Sequence, residues 1–367
     1  MLDYKFNYPL KKTKLVSYKK IIPYLKKIDS SRWYSNFGPL SDDFKSRLSK
    51  KFHVHHNQIE LVCNATQGLS LAIQTLNIPT NTYCAVPSLT FPATISAITH
   101  AGLKPYFIDI DPINFMVTIE SILKLKKVLG SKLSTVIPVS FFGKTLNLKE
   151  WERLQKKINV KVIIDSAWSF DNFQPSTLPQ VISLHATKVL GIGEGGVVIS
   201  KDKNFIKNFK KSINYGFTTN RDIIVKGTNA KMSEYTAAIG LASLDEWDKR
   251  KKKIHKITNY YISKLKKLPN ITIIPDISDL WVNGTIIVIL KNNNSMKIEK
   301  KMKLFGIEAR NWWGLPCSSR TMYKIFKKEN LTHTFEAYNN IINLPFYEDL
   351  TFAEIDFIID KFSLSLT

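Results

Sequence analysis

The chain of 367 residues is 44% hydrophobic and carries 53 Lys and Arg residues against 30 Asp and Glu residues, a formal net charge of +23. This apolar content is too high for a disordered protein, and the length suits one large domain or two modest ones. Only seven of the 53 basic residues are arginines. Because surfaces that read nucleic acid usually depend on the planar fork of Arg, the scattered lysines, beside many Ile and Asn residues, indicate compositional bias rather than a nucleic-acid partner.

Neither a disulfide framework nor a metal site is predicted. The cysteines Cys63, Cys84 and Cys317 are widely spaced, with no CxxC pair or Cys/His cluster. The stretch Met1–Lys20 is interrupted by Lys, Asp, Tyr and Pro, so it does not read as a signal peptide. No segment approaches about 18 uncharged apolar residues, the length that a membrane span needs. We therefore expect a cytoplasmic protein with no metal and no membrane partner.

Helix-like and strand-like apolar patterns alternate through the first two-thirds of the chain. This alternation predicts an α/β architecture with a mostly parallel sheet. Pro87 and Pro138 fall at predicted strand ends, where proline is tolerated. The predicted helices are Ala65–Leu76, Phe91–His100 and Leu148–Lys157. The predicted strands are Tyr83–Val86, Pro105–Ile108, Thr135–Val139, Lys161–Ile164 and Gly196–Ser200.

The pattern changes to that of an α+β unit near residue 246. One long helix is predicted from Met232 to Asp248, ending in the basic run Lys249–Lys253, which is typical of a solvated helix face. Because no low-complexity linker interrupts the chain, we predict two packed domains, residues 1–245 and 246–367. The other predicted elements are the strand pair Ile271–Ile274 and Gly284–Leu290 and the helices Met296–Phe305 and Phe352–Phe362.

The segment Gly191–Gly196 satisfies the GxGxxG pattern of dinucleotide-binding proteins. In that motif the glycines follow the first strand and open a helix. Here they precede Val197–Ser200, which has a strand pattern, so a nicotinamide-dependent dehydrogenase is disfavoured. The chain also lacks the GxxxxGKS or GxxxxGKT sequence of a P-loop, which excludes a P-loop kinase.

Three other segments carry residues that suit chemistry. Asp165 ends the apolar run 162–164, and open α/β sheets bind ligands beyond the carboxyl ends of their strands, although a loop cap would explain this aspartate equally well. Lys188 lies among small and apolar residues, and a desolvated lysine has a lowered pKa and can form a Schiff base. Asn64–Leu69 opens an amphipathic helix, whose N-terminus suits a phosphate or, more simply, an N-cap.

A carboxylate for a pyridinium nitrogen, a lysine for an aldehyde and a helix start for a phosphate are the three needs of pyridoxal 5′-phosphate (PLP). The sequence resembles the DegT/DnrJ/EryC1/StrS family of PLP-dependent sugar-nucleotide aminotransferases over nearly its full length. This resemblance implies a fold-type-I (aspartate aminotransferase-like) α/β large domain and a small α+β C-terminal domain. The segments that carry it, in the family's order, are Trp33–Leu40, Ala65–Gln67, Val86–Thr94, Phe107–Pro112, Ile164–Ala167, Ser183–Lys188 with Gly193–Gly196, and Gly227–Glu234.

The resemblance implies the roles of three residues around the cofactor ring. Lys188 matches the lysine that forms the internal aldimine and then moves a proton between the cofactor C4′ and the substrate carbon. Asp165 matches the carboxylate that keeps the pyridine nitrogen protonated. Phe91 matches the aromatic residue that stacks on the ring.

The resemblance also implies a phosphate site and a second subunit. Thr66 and Gln67 match the phosphate-binding turn, and Ser183 matches a hydroxyl that binds the same phosphate. Asn229 matches an asparagine that the neighbouring subunit supplies to the phosphate. The implied assembly is therefore a homodimer with shared active sites.

Two positions bear on the cofactor contacts and the reaction. Trp168 stands where the family commonly has a glutamine that contacts the cofactor. An indole can pack against the ring and donate one hydrogen bond, but it cannot fulfil both functions of an amide. Relatives that dehydrate sugars have histidine at the position of Lys188, so lysine there implies transamination.

A further group of residues resembles the family's sugar-nucleotide site. In the segment Arg310–Trp313, an arginine can pair with a diphosphate and a tryptophan can stack on a base or sugar. A surface arginine beside two core tryptophans explains the same segment equally well. The candidate substrate-binding residues are Trp33, Tyr34, Asn36, His185, Arg310, Trp312 and Trp313.

The segments Asn36–Leu40 and Arg310–Trp313 look most like the branch of the family that aminates C4 of dTDP-4-dehydro-6-deoxy-D-glucose. The resemblance therefore implies this sugar nucleotide and L-glutamate as substrates. The implied product is a 4-amino-4,6-dideoxy sugar for O-antigen or other surface polysaccharide. Two alternatives stay open: amination at C3 of a nucleotide-linked 3-keto sugar, and a non-catalytic, basic nucleic-acid-binding protein that retains the fold.

Overall fold

The computed structural model describes residues 6–274, 281–291 and 294–366. The start of the stretch considered above for a signal peptide, residues 1–5, lies outside the described residues. The α-helices are α1 (Tyr18–Ser31), α2 (Pro39–Lys51), α3 (Ala65–Thr75), α4 (Pro92–His100), α5 (Ile119–Leu129), α6 (Leu148–Ile158), α7 (Lys203–Ser212), α8 (Glu234–Asp245), α9 (Trp247–Leu265), α10 (Ser295–Leu304), α11 (Thr332–Asn340) and α12 (Phe352–Leu366). The strands are β1 (Ile59–Val62), β2 (Tyr83–Pro87), β3 (Lys104–Ile108), β4 (Leu133–Val136), β5 (Lys161–Val162), β6 (Ile164–Asp165), β7 (Gln180–Ser183), β8 (Gly196–Ile199), β9 (Ile271–Ile273), β10 (Ile286–Leu290), β11 (Lys327–Lys328) and β12 (Ile341–Leu344).

The large sheet has two parts that meet along the segment holding β5 and β6. The first part has the order β11-β3-β2-β4-β5 and is entirely parallel. The second part has the order β1-β8-β7-β6, in which β6 and β7 are parallel and the other pairs are antiparallel. Backbone hydrogen bonds from Ile163 N to Val136 O (3.2 Å) and from Asp165 N to Pro138 O (3.0 Å) join the parts. The predicted α/β fold with a mostly parallel sheet is confirmed.

Both faces of this sheet are buried, as expected where helices cover a parallel sheet. Successive residues of β2 alternate between two hydrophobic cores because strand side chains point to opposite faces. Cys84 and Val86 belong to the core beneath α3, α4 and α7, whereas Ala85 belongs to the core beneath α5 and α6. The strand ends therefore lie on a rigid frame that can hold functional side chains in place.

The C-terminal residues form a second, antiparallel sheet with the order β12-β10-β9, and α10 packs against α12 beside it. The strand pair predicted around Ile271 and Leu290 is confirmed. Residues before the predicted boundary at 245 and 246 make contacts with residues after it. β11 pairs with β3 of the large sheet, and Tyr8 N donates to Gly306 O at 3.1 Å. The division into domains 1–245 and 246–367 stays a prediction.

The single helix predicted from Met232 to Asp248 is wrong. α8 ends at Asp245 and α9 begins at Trp247, because Glu246 between them has φ −98° and ψ 1°, outside helical values. α8 is buried among small residues, whereas α9 begins with a largely exposed basic surface, so the two helices occupy different environments. The basic run Lys249–Lys253 consequently lies inside α9 and does not follow a helix end.

Three properties of the described residues bear on the function classes considered above. None of their helices is long and apolar enough to cross a membrane. Within the same part of the chain, no group of three or more His, Cys, Asp and Glu side chains is placed to hold a metal ion. Cys63, Cys84 and Cys317 are free thiols.

Candidate active site

A cavity of about 570 Å³ lies beyond the carboxyl ends of several parallel strands of the large sheet. Asp165 ends β6 and Ser183 ends β7, so the sheet brings both to one wall of the cavity. Phe91 immediately precedes α4, and 55% of its surface is exposed, which leaves its ring available to a ligand. The predicted site residues that line the cavity are Thr66, Gln67, Phe91, Asp165, Trp168, Ser183, His185, Lys188, Trp312 and Trp313.

Lys188 lies in the loop between β7 and β8, where Lys188 N donates to His185 O at 2.8 Å. Its side chain is mostly buried, and its Nζ lies 3.7 Å from the centroid of the Trp168 ring. Burial lowers the pKa of Lys188 to about 7, while the charge of Asp165 acts in the opposite direction and that of Lys11 acts in the same direction. Near neutral pH this lysine therefore exists in both its charged and its nucleophilic form.

Asp165 is buried and its carboxylate is held by two hydrogen bonds. Thr94 Oγ1 donates to Oδ2 at 2.7 Å, and Ala167 N donates to Oδ1 at 3.1 Å. Burial raises the pKa of Asp165, and the two hydrogen bonds and the charge of Lys188 oppose this rise. A buried carboxylate of this kind is stabilised by a cationic partner in the cavity, such as a protonated ring nitrogen.

The start of α3 forms another wall of the cavity. Asn64 caps this helix, because its Oδ1 accepts from Gln67 N at 2.9 Å. The amides of Ala65 and Thr66 belong to the first helical turn, which has no intrahelical acceptors for them, and both residues line the cavity. A Cβ at Gly196 would lie 2.8 Å from Ala65 N, so glycine is needed for β8 to approach this turn. The arrangement suits an anion at the helix start.

Aromatic side chains form a third wall. Trp168 meets Trp312 edge to face with ring centroids 6.2 Å apart, and it lies 5.5 Å from Phe142. Phe142 in turn stacks on Trp313 at 4.7 Å. Trp168, which replaces the family's usual glutamine, thus packs within an aromatic cluster and under Lys188.

Five predicted site residues do not line this cavity in the single chain. Trp33 and Tyr34 are each 49% exposed, and Tyr34 stacks on Tyr235. Asn36 and Asn229 are exposed, and Asn229 forms a β-bridge with Asn214. Arg310 forms an ion pair with Glu308 at 3.1 Å and lies 5.6 Å from the Trp312 ring, next to the cavity wall.

Several residues that shape the site were not predicted. Thr94 holds Asp165, and its place in the first turn of α4 after the Phe91–Pro92 start could have indicated an inward-facing hydroxyl. Glu194 lines the cavity, with Oε1 3.6 Å from His185 Nε2. Lys11 acts on Lys188 from far away in the chain, and no local pattern in the sequence marks it.

The buried carboxylate, the desolvated lysine and the capped helix start, placed at the strand ends of this sheet, define a PLP-dependent transferase of fold type I. The profile of the DegT/DnrJ/EryC1/StrS aminotransferase family matches residues 17–363, and the chain belongs to this family. It is therefore a PLP-dependent aminotransferase, which favours the enzyme over the non-catalytic alternative considered above.

Individual relatives agree with this membership. The dTDP-4-amino-4,6-dideoxy-D-glucose transaminase of Escherichia coli is 29% identical over 356 residues, which cover 95% of this chain and 88% of the relative. A Bacillus cereus protein assigned as a PLP-dependent aminotransferase has a solved structure with 31% identity and a TM-score of 0.91, covering 97% of this chain and 99% of its own. DesI, solved in the presence of its TDP-sugar product, has 25% identity and a TM-score of 0.88, covering 99% of this chain and 94% of its own.

Capture of PLP by the protein freed of its cofactor is expected to follow the neutral fraction of Lys188. Because burial lowers the pKa of Lys188 to about 7, the rate of capture should rise about tenfold between pH 6 and pH 8 and then level off. Stopped-flow measurement of the visible absorbance of bound PLP gives this rate.

The same measurement with N-acetyl-lysine amide corrects for the titration of PLP itself. A lysine with the ordinary pKa of about 10.4 would show a rate that still increases about tenfold per unit up to about pH 10. A protein profile that follows the free amine in this way would contradict the assignment of Lys188, with its lowered pKa, as the residue that captures PLP.

Proposed function

We propose that this aminotransferase moves the amino group of L-glutamate to C4 of a nucleotide-linked 4-keto-6-deoxyhexose, with dTDP-4-dehydro-6-deoxy-D-glucose as the best candidate. The product would be a 4-amino-4,6-dideoxy sugar that serves surface polysaccharide, such as O-antigen. The observation that carries the chemistry is the placement of Lys188 and Asp165 in the lining of one cavity at the strand ends. The choice of sugar is supported by the names of the E. coli relative and of the DesI complex.

The side chains divide the work around the cofactor. When bound, PLP supplies an electron-accepting ring that takes up the charge of a deprotonated substrate carbon. Asp165, held by Thr94, would keep the ring nitrogen protonated. Ser183, Thr66 and the first amides of α3 would hold the phosphate.

Lys188 moves the proton. Its Nζ lies over Trp168 inside the cavity, and its lowered pKa lets it accept a proton from the substrate carbon and return it near neutral pH. Phe91 lines the same cavity with an exposed ring that can stack on the cofactor. Holding donor and acceptor in one cavity makes this transfer effectively intramolecular.

The substrate side of the cavity is aromatic. Trp312 and Trp313 offer flat apolar surfaces that suit the 6-methyl group of a deoxy sugar or the base of the nucleotide. Arg310 lies next to Trp312 and can pair with the diphosphate, since its present partner Glu308 leaves about half of the arginine side chain exposed. His185 and Glu194 add polar side chains to the lining of the same cavity. Trp33, Tyr34 and Asn36 are assigned to the outer part of the substrate site.

The proposed assembly is a homodimer in which each subunit completes the other's site. Asn229, assigned to the phosphate, does not line the cavity of its own chain. It lies near apolar residues that a single chain leaves exposed, namely Tyr215 (47%), Ile223 (61%) and Ile224 (54%). A second copy would bury them and carry Asn229 to the partner's cavity. Sedimentation equilibrium is expected to give a dimer, and a monomer that retains full activity would exclude the shared site.

Incubation with a panel of keto sugars tests the substrate. With L-glutamate and PLP, we expect dTDP-4-dehydro-6-deoxy-D-glucose to be aminated at C4 with an equatorial amine, at a kcat/KM at least about tenfold above that of UDP- and GDP-linked analogues. Mass spectrometry and NMR of the products measure both the position and the configuration. An axial amine, or an amine at C3 from a 3-keto sugar, would overturn the choice of substrate and leave the family membership intact.

A further inference from the structure

Lys11 lies beside the candidate active site, although it belongs to none of the segments that resemble the family. The backbone around it is anchored to the C-terminal part of the chain. Phe346 N donates to Leu10 O at 3.1 Å, and Leu10 N donates to Glu308 Oε2 at 2.8 Å. This anchoring carries the Lys11 side chain to the Trp168 ring.

Lys11 and Lys188 share the Trp168 indole. Lys11 Nζ lies 5.7 Å from the centroid of the Trp168 ring and 5.7 Å from that of Phe346, and Lys188 Nζ lies 3.7 Å from the same Trp168 centroid. A Cβ on Gly284 would approach Trp168 to 3.1 Å and Lys11 Nζ to 3.7 Å, so glycine leaves room for both. The two lysines also line one cavity of about 50 Å³, and Lys188 lines the large cavity as well.

Lys11 has no ion pair with any carboxylate of the described residues. The nearest acidic side chain of the small cavity, Glu348, pairs with Arg250 at 3.0 Å. Burial lowers the pKa of Lys11 to about 7. Apart from the two lysines, the charged and titratable groups that line the two cavities are His100, Asp165, His185 and Glu194 around the large one and Lys12, Lys14, Arg250, Tyr347 and Glu348 around the small one.

We propose that Lys11 is a positioning residue for amino transfer, which acts on Lys188 through its charge and through the Trp168 indole that both side chains contact. A second cation beside Lys188 disfavours the protonated form of Lys188 and opposes the attraction of Asp165. When both amines are protonated, Trp168 lies within cation–π distance of each, so packing holds the two charges at a fixed separation. The inference rests on the proposed role of Lys188 as the proton-moving residue.

The variant Lys11→Met tests this inference because it removes the charge and keeps an apolar chain of similar length. Without the second cation, the midpoint of the pH profile for PLP capture is expected to rise by up to about one pH unit. The capture rate at pH 7 should fall about fivefold as a result. Lys11→Arg keeps a positive charge and is expected to restore a midpoint near that of the parent. The thermal unfolding temperature of Lys11→Met should not fall, since a buried amine without a carboxylate partner is removed.

The matched control is Lys19→Met, which removes an exposed lysine of α1 that lines neither cavity. An unchanged midpoint in Lys11→Met, or an equal shift in Lys19→Met, overturns the role of Lys11. Borohydride reduction of the parent holoenzyme, followed by peptide mass spectrometry, distinguishes a failure of the Lys11 inference from a failure of the proposed function. A pyridoxyl group on Lys188 combined with no shift in Lys11→Met refutes the inference alone, whereas a pyridoxyl group on another lysine refutes both.

Discussion

Lys188→Ala is expected to reduce amino transfer by about 10³- to 10⁴-fold, because it removes the only group proposed to move the proton at the substrate carbon. The variant should still bind PLP without a covalent bond, since Asp165 and the start of α3 are untouched. Product formation by liquid chromatography measures the loss of turnover. Borohydride treatment followed by mass spectrometry should give no pyridoxyl group on the protein.

Lys201→Ala provides a matched control for this variant. Lys201 is an exposed lysine that follows β8, away from the cavity lining, and its removal changes the net charge equally. Activity and PLP content near those of the parent are expected. If Lys188→Ala still carried a pyridoxyl group after reduction and kept its turnover, another residue would hold the cofactor and the assignment of Lys188 would be wrong.

The placement of Asp165 and Lys188 in one cavity could be predicted from the sequence because it depends on local patterns. Asp165 ends an apolar run, and Lys188 lies among small residues between two strands, so strand topology alone brings them to one edge of a sheet. The start of α3 was equally visible, since Asn64 has the residue type and position of an N-cap. Most helices and strands predicted in this region are found with their ends displaced by one to a few residues, but the single strand predicted at Lys161–Ile164 is divided into β5 and β6, which pair with different parts of the sheet.

Features that depend on contacts between distant parts of the chain could not be predicted from the sequence. Lys11 reaches Trp168 only because residues near the N-terminus pair with the C-terminal part, and no local pattern reports such a pairing. The break at Glu246 was missed because the apolar periodicity of α8 continues into α9 across a single non-helical residue. The helix α2 is mainly polar, so its position is set by packing against α8 more than by its own pattern, whereas α1 has apolar residues at helical spacing but contains Pro23, which disfavours a helix in its sequence.

Trp168 is a single residue whose contacts could not be predicted from the sequence. From the sequence, the tryptophan is only a departure from a family glutamine. In the structure its ring lies 3.7 Å from Lys188 Nζ and 5.7 Å from Lys11 Nζ, and it contacts Trp312. These contacts come from segments far apart in the sequence, so the pattern around residue 168 does not report them.

Asp165→Asn is expected to lower kcat by about two to nearly four orders of magnitude, which corresponds to the roughly 3–5 kcal/mol lost when one partner of a buried ion pair is removed. The asparagine has nearly the same shape and can keep one acceptor oxygen for Thr94 or Ala167, so the fold should persist. The loss arises because a neutral amide cannot stabilise a protonated ring nitrogen, and an unprotonated ring accepts charge poorly. Stopped-flow measurement of the half-reaction with L-glutamate checks this result.

The variant Thr94→Val tests whether Asp165 acts through its charge or through the hydrogen bonds that position it. This variant removes the 2.7 Å hydrogen bond to Oδ2 and leaves the carboxylate and the bond from Ala167, so a loss of about tenfold or less is expected. It should also raise the pKa of Asp165 further, because one of the groups that oppose the effect of burial is gone. Activity of Thr94→Val should therefore decline at a higher pH than that of the parent as the solution is acidified. Equal losses in Thr94→Val and Asp165→Asn would mean that Asp165 acts through its hydrogen-bonded packing, and that its charge does not drive the reaction.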